Sequence, residues 1–169
     1  MASLLPLSVS CALGRGLGQL LWWIGGTPRR VTGRNIELAY PGLPAVERQT
    51  LARKSLLSTA ELAAEMGFVW NRSWDEVRGT IREVIGEEAV QAAVDRGQGG
   101  VLRGPHLGNG EGAGLYSSRF GDALALYEPP HMLSLEQMAR GARERSGTRL
   151  VPTDARGLAT LVRTLKRGG

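Results

Sequence analysis

The most constraining feature of the sequence is an apolar run from Ser3 to Gly26, in which Arg15 is the only charged residue. Its length matches the roughly 20 residues that a helix needs to cross a bilayer. Pro6 and several glycines interrupt the run, so it is an imperfect span. Trp22 and Trp23 lie near its end, where tryptophans suit a membrane interface.

Basic residues follow the apolar run at once: Arg29, Arg30 and Arg34. Such a cluster would keep the downstream side in the cytoplasm. We therefore expect residues 1–33 to form a membrane anchor and a basic connector, with helix breakers in Thr27–Gly33. A cleaved signal peptide fits less well, because no basic segment precedes the run and no small-residue cleavage site follows it. A buried core helix is the alternative.

The charge balance excludes several classes of protein. The 169 residues carry 21 Lys and Arg against 16 Asp and Glu, a net charge of +5, and only Lys54 and Lys166 are lysines. Such a chain is neither an acidic disordered protein nor, with a hydrophobic content of 42%, a polytopic membrane protein. Cys11 is the only cysteine, which excludes an internal disulfide framework and a Cys-rich zinc module and favours a reducing compartment.

Residues 34–98 are predicted to form a helical segment. An amphipathic piece ends at Pro41, and Pro44 opens a long helix over residues 45–68, because proline suits the first turn of a helix. The apolar stripe of that helix comprises Leu51, Leu56, Leu62 and Met66, which recur at helical spacing. Two further helices are expected over Trp74–Arg82 and over Glu87–Asp95.

From Gly99 onward the pattern alternates between strands and helices, which favours a parallel sheet with covering helices. The expected strands are Val101–Leu102, Ala123–Tyr127 and Arg149–Val151, and the expected helices are Glu111–Ser118, Leu135–Arg145 and Ala155–Arg167. A further strand is expected after the final helix, so residues 99–169 are predicted to be a partial domain, truncated at the C-terminus. The predicted fold class is α/β: an N-terminal membrane-anchoring helix and a helical segment, then an incomplete, mostly parallel sheet covered by helices.

The glycine-rich turn over residues 104–114 is the candidate site, because it follows a predicted strand and opens a predicted helix. It contains His106 and Glu111 in an H-x4-E spacing, with Asn109 as a good helix N-cap. Residues five apart meet only if His106 lies in the loop and Glu111 in the first helical turn. His106 would then accept a proton from a hydroxyl, and Glu111 would orient the imidazole and stabilise its cation.

The same turn allows two other interpretations. Gly108, Gly110 and Ala113 spell G-x-G-x-x-A, and Glu128 follows about 20 residues later, as a ribose-binding acid does in a dinucleotide-binding module. Alternatively, His106 is a structural histidine whose hydrogen bonds are satisfied within a glycine-rich turn. No G-x4-G-K-[ST] motif is present, which excludes a P-loop.

Four segments in one order and spacing carry a family resemblance. They are Asn35-Ile36-Glu37-Leu38-Ala39-Tyr40-Pro41, Glu47-Arg48, His106-Leu107-Gly108-Asn109-x-Glu111, and the tail Leu161-Val162-Arg163-Thr164-Leu165-Lys166-Arg167-Gly168-Gly169. Together they resemble the lipid A biosynthesis lauroyl/myristoyl acyltransferases, of the lysophospholipid acyltransferase superfamily. The resemblance covers nearly the whole chain but only about the first half of a typical member. Gly110 stands where the family usually has tryptophan, and Glu128 where members often have arginine.

The resemblance implies transfer of a fatty acyl group from acyl carrier protein to a hydroxyl of a lipid A precursor. It implies His106 as general base, Glu111 as its orienting partner, and Arg143 and Asn109 as substrate-binding residues. It implies location at the cytoplasmic face of the bacterial inner membrane, with no nucleic acid partner. A carrier-bound thioester requires no metal and no nucleotide cofactor, and a basic surface suits an acidic carrier protein and anionic lipid phosphates. A non-catalytic membrane-tethered remnant of such an enzyme is a further alternative.

Overall fold

The computed structural model of the protein describes residues 5–104, 107–129 and 132–168. This part of the chain is mostly helical and contains a two-stranded parallel sheet, which confirms the α/β class. The helices are α1 (Leu7–Ile24), α2 (Gly26–Ala39), α3 (Ala45–Asn71), α4 (Trp74–Arg78), α5 (Glu87–Asp95), α6 (Gly110–Ser117), α7 (Leu133–Glu144) and α8 (Ala155–Leu165). The strands are β1 (Leu124–Tyr127) and β2 (Arg149–Pro152), and a 3₁₀ turn covers Ser118–Phe120.

Contacts group the chain into two compact units, residues 1–68 and 69–169. In the first unit, polar contacts show that α1 and α3 run antiparallel, because successive residues of α1 reach progressively earlier residues of α3. These contacts join the Cys11 thiol to a Glu65 carboxylate oxygen at 3.7 Å, Arg15 to Glu61 at 3.5 Å, and the Arg53 Nε to the Gln19 side-chain oxygen at 3.1 Å.

Two glycines allow α1 to approach α3 closely. A Cβ atom at Gly14 would lie 2.8 Å from the carbonyl oxygen of Ala60, and one at Gly18 would lie 2.9 Å from the Cα of Leu57. Both glycines are buried in the chain. A side chain of any size at either position would therefore push the two helices apart.

The prediction of a helix-breaking connector over Thr27–Gly33 is wrong, because these residues belong to α2. Pro28 lies in the first turn of that helix, where its missing N–H would have no intrahelical partner, so it does not break the helix. The Arg29 side chain donates a hydrogen bond to the carbonyl oxygen of Trp22 at 3.2 Å and stacks 4.5 Å from the centre of its ring. These contacts fix the corner between α1 and α2.

The predicted anchor is a helix, since α1 covers 18 residues of the apolar run. Within the described ranges, however, no helix combines the length and the apolar character that crossing a membrane requires. Membrane anchoring therefore stays a prediction.

In the second unit, β1 and β2 pair in parallel, with Leu124 opposite Arg149 and Tyr127 opposite Pro152. Helix α7 connects the two strands, and α8 packs on the sheet. A Cβ atom at Gly157 would lie 1.8 Å from the carbonyl oxygen of Pro152, so only glycine allows α8 this approach to β2. The side chains buried in this unit are Val69, Val77, Tyr127, Ala139 and Ala142.

Two of the remaining predicted elements differ from the structure. Helix α4 ends at Arg78 rather than Arg82, because Gly79 follows it. Val101 and Leu102 form no strand, and their side chains are exposed. Two apolar residues between glycines are too short for a stable ladder, since strands usually have at least three residues.

We expect Gly14→Ala to lower the free energy of unfolding by about 1–3 kcal/mol, because the new methyl group overpacks the contact between α1 and α3. Gly16→Ala is the matched control, since a Cβ atom at this exposed position of the same helix meets nothing within 4 Å. That change should stabilise the protein by about 0.5–1 kcal/mol through helix propensity. Urea unfolding followed by circular dichroism measures both, and equal stabilisation by the two variants would contradict the close packing.

Candidate functional site

Helix α6 begins at the end of the glycine-rich turn, and Asn109 caps it. The Asn109 side-chain oxygen accepts a hydrogen bond from the backbone N–H of Glu111 at 3.2 Å. This satisfies one of the N–H groups that a helix leaves unpaired at its start. Glu111 therefore lies in the first turn of α6, where the helix dipole favours a negative charge.

The Glu111 carboxylate is held by two side chains from other elements of the second unit. One oxygen accepts hydrogen bonds from the indole N–H of Trp70 at 3.0 Å and from the Nε of Arg143 at 3.0 Å. The other oxygen accepts a hydrogen bond from an Nη atom of Arg143. Arg143 thus binds the carboxylate bidentately through its Nε and one Nη, a geometry that makes strong charge-assisted hydrogen bonds.

Three elements of the second unit position this cluster. Trp70 lies in the last turn of α3, Glu111 in the first turn of α6 and Arg143 in the last turn of α7. The Arg145 guanidinium donates a hydrogen bond to the carbonyl oxygen of Trp70 at 2.5 Å, which adds a second link between the ends of α3 and α7. The site is therefore built from the ends of helices, where chain direction changes.

A buried aromatic ring supports the arginine. Tyr127, the last residue of β1, is only 6% exposed, and the guanidinium groups of Arg143 and Arg140 lie 5.1 and 5.3 Å from the centre of its ring. These distances are within the range of cation–π attraction. Within the described ranges the Tyr127 hydroxyl has no hydrogen-bond partner. The Tyr127 ring therefore supports Arg143 by cation–π attraction rather than by a hydrogen bond from its hydroxyl.

The electrostatic environment keeps Glu111 ionised. Burial raises the pKa of its carboxyl, but the hydrogen bonds from Arg143 and Trp70 and the charge of Arg143 outweigh burial and hold the pKa below its ordinary value. In return, the hydrogen bond to Glu111 raises the pKa of the Arg143 guanidinium against the effect of burial. The two side chains form an ion pair that is 14% and 33% exposed, respectively.

The structure brings together three of the four predicted site residues. Glu111 and Arg143 are in direct contact, and Asn109 binds the backbone of Glu111. His106 lies outside the described residues, so its pairing with Glu111 stays a prediction. The catalytic and substrate-binding roles assigned to these residues likewise stay predictions.

Sequence analysis missed Trp70 and Tyr127. Trp70 is 41 positions from Glu111 along the chain, and no periodic pattern relates two residues on different elements at that distance. The only available signal was that Trp70 ends the apolar stripe of α3 with a side chain that carries a hydrogen-bond donor. Such a donor usually finds a partner when it is buried.

The local structure does not favour the dinucleotide-binding interpretation. That fingerprint requires a strand that runs directly into the glycine turn. Residues 101–104, Leu107 and Gly108 belong to no strand. Glu128 follows β1 as expected and is exposed, but the strand that should place the phosphates opposite it is missing from the described part of the chain.

One group of three potential metal ligands lies elsewhere, in the first unit. The ligand atoms of Cys11, Glu61 and Glu65 lie within 4.8 Å of one another. Contacts within the protein account for their proximity, since Cys11 is hydrogen-bonded to Glu65 and Arg15 pairs with Glu61. We therefore assign no metal to this group.

The fold and the cluster define a class: an α/β protein with a half-buried, ionised acid at the start of a helix after a glycine-rich turn. The family comparison is more specific, because the model of the bacterial lipid A biosynthesis acyltransferases matches residues 1–169. The chain belongs to this family, which confirms the resemblance described above. Among its relatives is the lipid A biosynthesis lauroyltransferase of Escherichia coli (strain K12), which is 27% identical over 168 residues. The alignment covers 97% of this chain and 53% of the relative, so the chain spans about half the relative's length.

We expect Arg143→Met to raise the pKa of Glu111, because the change removes the charge and hydrogen bonds that lower it and leaves the burial that raises it. In the native protein, the stability that ionised Glu111 contributes is present above the ordinary carboxyl pKa. It is lost as the pH falls through the lowered pKa. Near neutral pH the variant should lose about 2–3 kcal/mol of unfolding free energy, because a partly buried charge is left unpaired.

Arg140→Met is the matched control for Arg143→Met. Arg140 lies on the same helix and stacks on the same ring, but it pairs with Glu136 and Glu144 instead of Glu111. Arg140→Met should change the stability much less than Arg143→Met does, because exposed ion pairs contribute little. Carbon-13 NMR of labelled glutamate and unfolding measured from pH 3 to 7 provide the two readouts. Equal shifts of the Glu111 pKa in both variants would refute the pairing.

Proposed function

We propose that the chain is an O-acyltransferase, or the part of one that carries its candidate acid, and that it moves a fatty acyl group from acyl carrier protein to a hydroxyl of a lipid A precursor. Membership of the lipid A biosynthesis acyltransferase family supports this proposal. A relative from Escherichia coli is named a lauroyltransferase, which is consistent with a fatty acyl donor. The basic surface suits an acidic carrier protein and anionic lipids.

The observation that carries the proposal is the state of Glu111. Its carboxylate is held ionised by Arg143 and Trp70, and it follows His106 by five positions. A carboxylate offers about four lone-pair directions to hydrogen-bond donors. Trp70 and Arg143 use three of them, two on one oxygen and one on the other. One direction remains for the N–H of an imidazole.

The proposed reaction is a direct transfer. His106 accepts the proton of the acceptor hydroxyl while the hydroxyl oxygen attacks the thioester carbonyl carbon. The new carbon–oxygen bond forms and the carbon–sulfur bond breaks. The carrier thiolate leaves and receives the proton back from His106. Ionised Glu111 stabilises the imidazolium between these two steps, as the acid of a Ser-His-Asp triad does.

Arg143 has capacity for a second partner in this scheme. A guanidinium has five N–H donors, and the contact with Glu111 uses two of them. The side chain is 33% exposed, so the remaining donors are within reach of solvent. We assign them to a phosphate oxygen of the acceptor or to the oxyanion that forms at the thioester carbonyl. Asn109 supports the site through its cap on α6.

The location proposed for the protein is the cytoplasmic face of the bacterial inner membrane. Helix α1 turns Ser10, Gly14 and Gly18 inward, and an apolar stripe beside this buried line is exposed. The stripe consists of Leu13, Leu17, Leu20, Trp23 and Ile24, with Trp23 exposed to 72%. A helix with such a face lies in a membrane interface, and neighbouring Arg29 and Arg30 add attraction for anionic lipids. This mode needs no membrane-crossing helix.

We expect Glu111→Gln to lower the rate of acyl transfer by about 10²–10⁴-fold, because the neutral amide no longer stabilises the imidazolium. His106→Ala should lower it over the same range. The assay follows transfer of a radiolabelled acyl chain from acyl carrier protein to a purified lipid A precursor in detergent. Glu83→Gln, which changes an exposed acid outside the cluster, is the control and should retain the native rate.

Two outcomes of this assay would count against the proposal. If both Glu111→Gln and His106→Ala transferred the acyl group at the native rate, the dyad would not be the catalytic group, although the chain would still be an acyltransferase. A folded native chain that forms no acylated product would favour the non-catalytic, membrane-tethered alternative. Circular dichroism of each variant separates loss of chemistry from loss of fold.

We expect Leu17→Gln to weaken binding to lipid vesicles about tenfold, because it removes from the exposed stripe one side chain that binding would bury in the membrane interface. Burying a leucine side chain is worth about 1.5–3 kcal/mol. Flotation with phosphatidylglycerol-containing vesicles measures the bound fraction. Val46→Gln is the matched control, since Val46 is 76% exposed on α3 but lies outside the stripe. Equal binding by both variants would place the membrane contact elsewhere.

A further inference from the structure

A basic cavity lies in the second unit, apart from the Glu111 cluster. Its volume is about 390 Å³. The side chains that line it and carry the argument are Arg149, Arg163, Arg167, Thr160, Thr164 and Asp122. Three guanidinium groups and two hydroxyls therefore open into one space beside a single carboxylate.

The fold brings these residues together from three segments. Thr160, Arg163, Thr164 and Arg167 follow helical spacing along α8 and the turn that continues it, so they lie on one face. Arg149 is the first residue of β2. Asp122 lies just before β1.

The positive charge of the cavity is only partly compensated. The Asp122 carboxylate accepts hydrogen bonds from the Nε and one Nη of Arg149, at 3.1 and 2.7 Å. Among the residues that the structure describes, Arg163 donates to the Thr160 hydroxyl at 3.1 Å and to the carbonyl oxygen of Ala159 at 3.3 Å. Within the described ranges, no carboxylate pairs with Arg163 or Arg167. In the described part of the chain, Asp122 is thus paired with Arg149, and the charges of Arg163 and Arg167 in the same cavity have no carboxylate partner.

We propose that this cavity binds a phosphate monoester. The planar guanidinium groups of Arg163 and Arg167 match two phosphate oxygens, and the hydroxyls of Thr160 and Thr164 supply neutral donors beside them. Arg149 remains fixed by Asp122 and forms the wall of the site. The volume accommodates a phosphate with part of the group that it esterifies.

The position of the cavity separates it from the proposed acyl-transfer site. Asp122 and Arg149 lie at the amino ends of the two parallel strands, whereas Tyr127, which packs on Arg143, ends β1 at the opposite edge. Phosphate binding here therefore does not depend on the His106–Glu111 chemistry. A simpler role for the arginines is to balance the negative end of the α8 dipole, and this role predicts no ligand.

Isothermal titration calorimetry of the full chain in detergent tests the proposal with two soluble probes, inorganic phosphate and glucose 1-phosphate. Vesicles of phosphatidylcholine with phosphatidic acid provide a third arm by flotation. Arg163→Gln/Arg167→Gln should weaken binding at least about tenfold, since each change removes charge-assisted hydrogen bonds. Arg156→Gln is the matched control, because Arg156 is an exposed arginine of α8 that does not line the cavity. Its binding should stay within about twofold of the native protein.

The arms distinguish the source of the phosphate. If the native chain binds a soluble probe and the double variant does not, the ligand is a soluble phosphate ester. If the native chain binds only the vesicles and the double variant does not, the ligand is a lipid headgroup. Either result supports the proposal. It is overturned if the double variant binds every probe as the native chain does, or if Arg156→Gln weakens binding as much. Thermal unfolding of each variant confirms that the comparison is made between folded proteins.

Discussion

The ion pair between Glu111 and Arg143 is the interaction on which the second unit depends most. Burying a carboxylate without a partner is costly, and the cost is offset only when a charged group and further donors surround it. Arg143 supplies the charge and two donors, and Trp70 supplies the third. Because these three residues come from the ends of α3, α6 and α7, one electrostatic requirement holds three helix ends of the second unit together.

The same interaction limits what Glu111 can do in chemistry. An acid whose pKa lies below its ordinary value holds no proton at neutral pH, so it is a poor general acid, and its strong partners make it a weak base. It is suited to orient and stabilise a neighbouring cation. A proton acceptor has to come from another side chain, and His106 is the histidine nearest to it in sequence. An ionised Glu111 therefore suits the orienting role that the motif predicts for it, and the role of His106 as proton acceptor stays a prediction.

Local patterns predicted much of the fold. Helical periodicity indicated α3, the acidic first turn indicated α5, and apolar runs beside turn residues indicated β1 and β2. The prediction of a connector over residues 27–33 was wrong, because a proline in the first turn does not break a helix. The prediction of a strand at Val101–Leu102 was wrong, because strand pairing needs a longer run than two residues.

The candidate site was only partly accessible from the sequence. The motif identified Glu111, and the family resemblance identified Arg143, but no sequence pattern linked them to each other. They lie 32 positions apart on different helices, and their contact arises from the packing of α6 and α7. Trp70 was missed for the same reason. Local signals predict which residues have the right chemistry, and tertiary packing decides which of them meet.

Helix α6 illustrates how strongly local and tertiary forces are coupled here. It has only eight residues, and Gly112 and Gly114 lie inside it, each costing about 0.8–1.0 kcal/mol relative to alanine. Such a segment would not persist as an isolated helix. It is held at its start by the Asn109 cap and by Glu111, and near its end by Tyr116, whose hydroxyl donates to Glu87 and whose ring packs 6.2 Å from that of Trp74. The acid and the helix that carries it therefore stabilise each other, so a change that frees Glu111 from Arg143 also loosens the element that positions it.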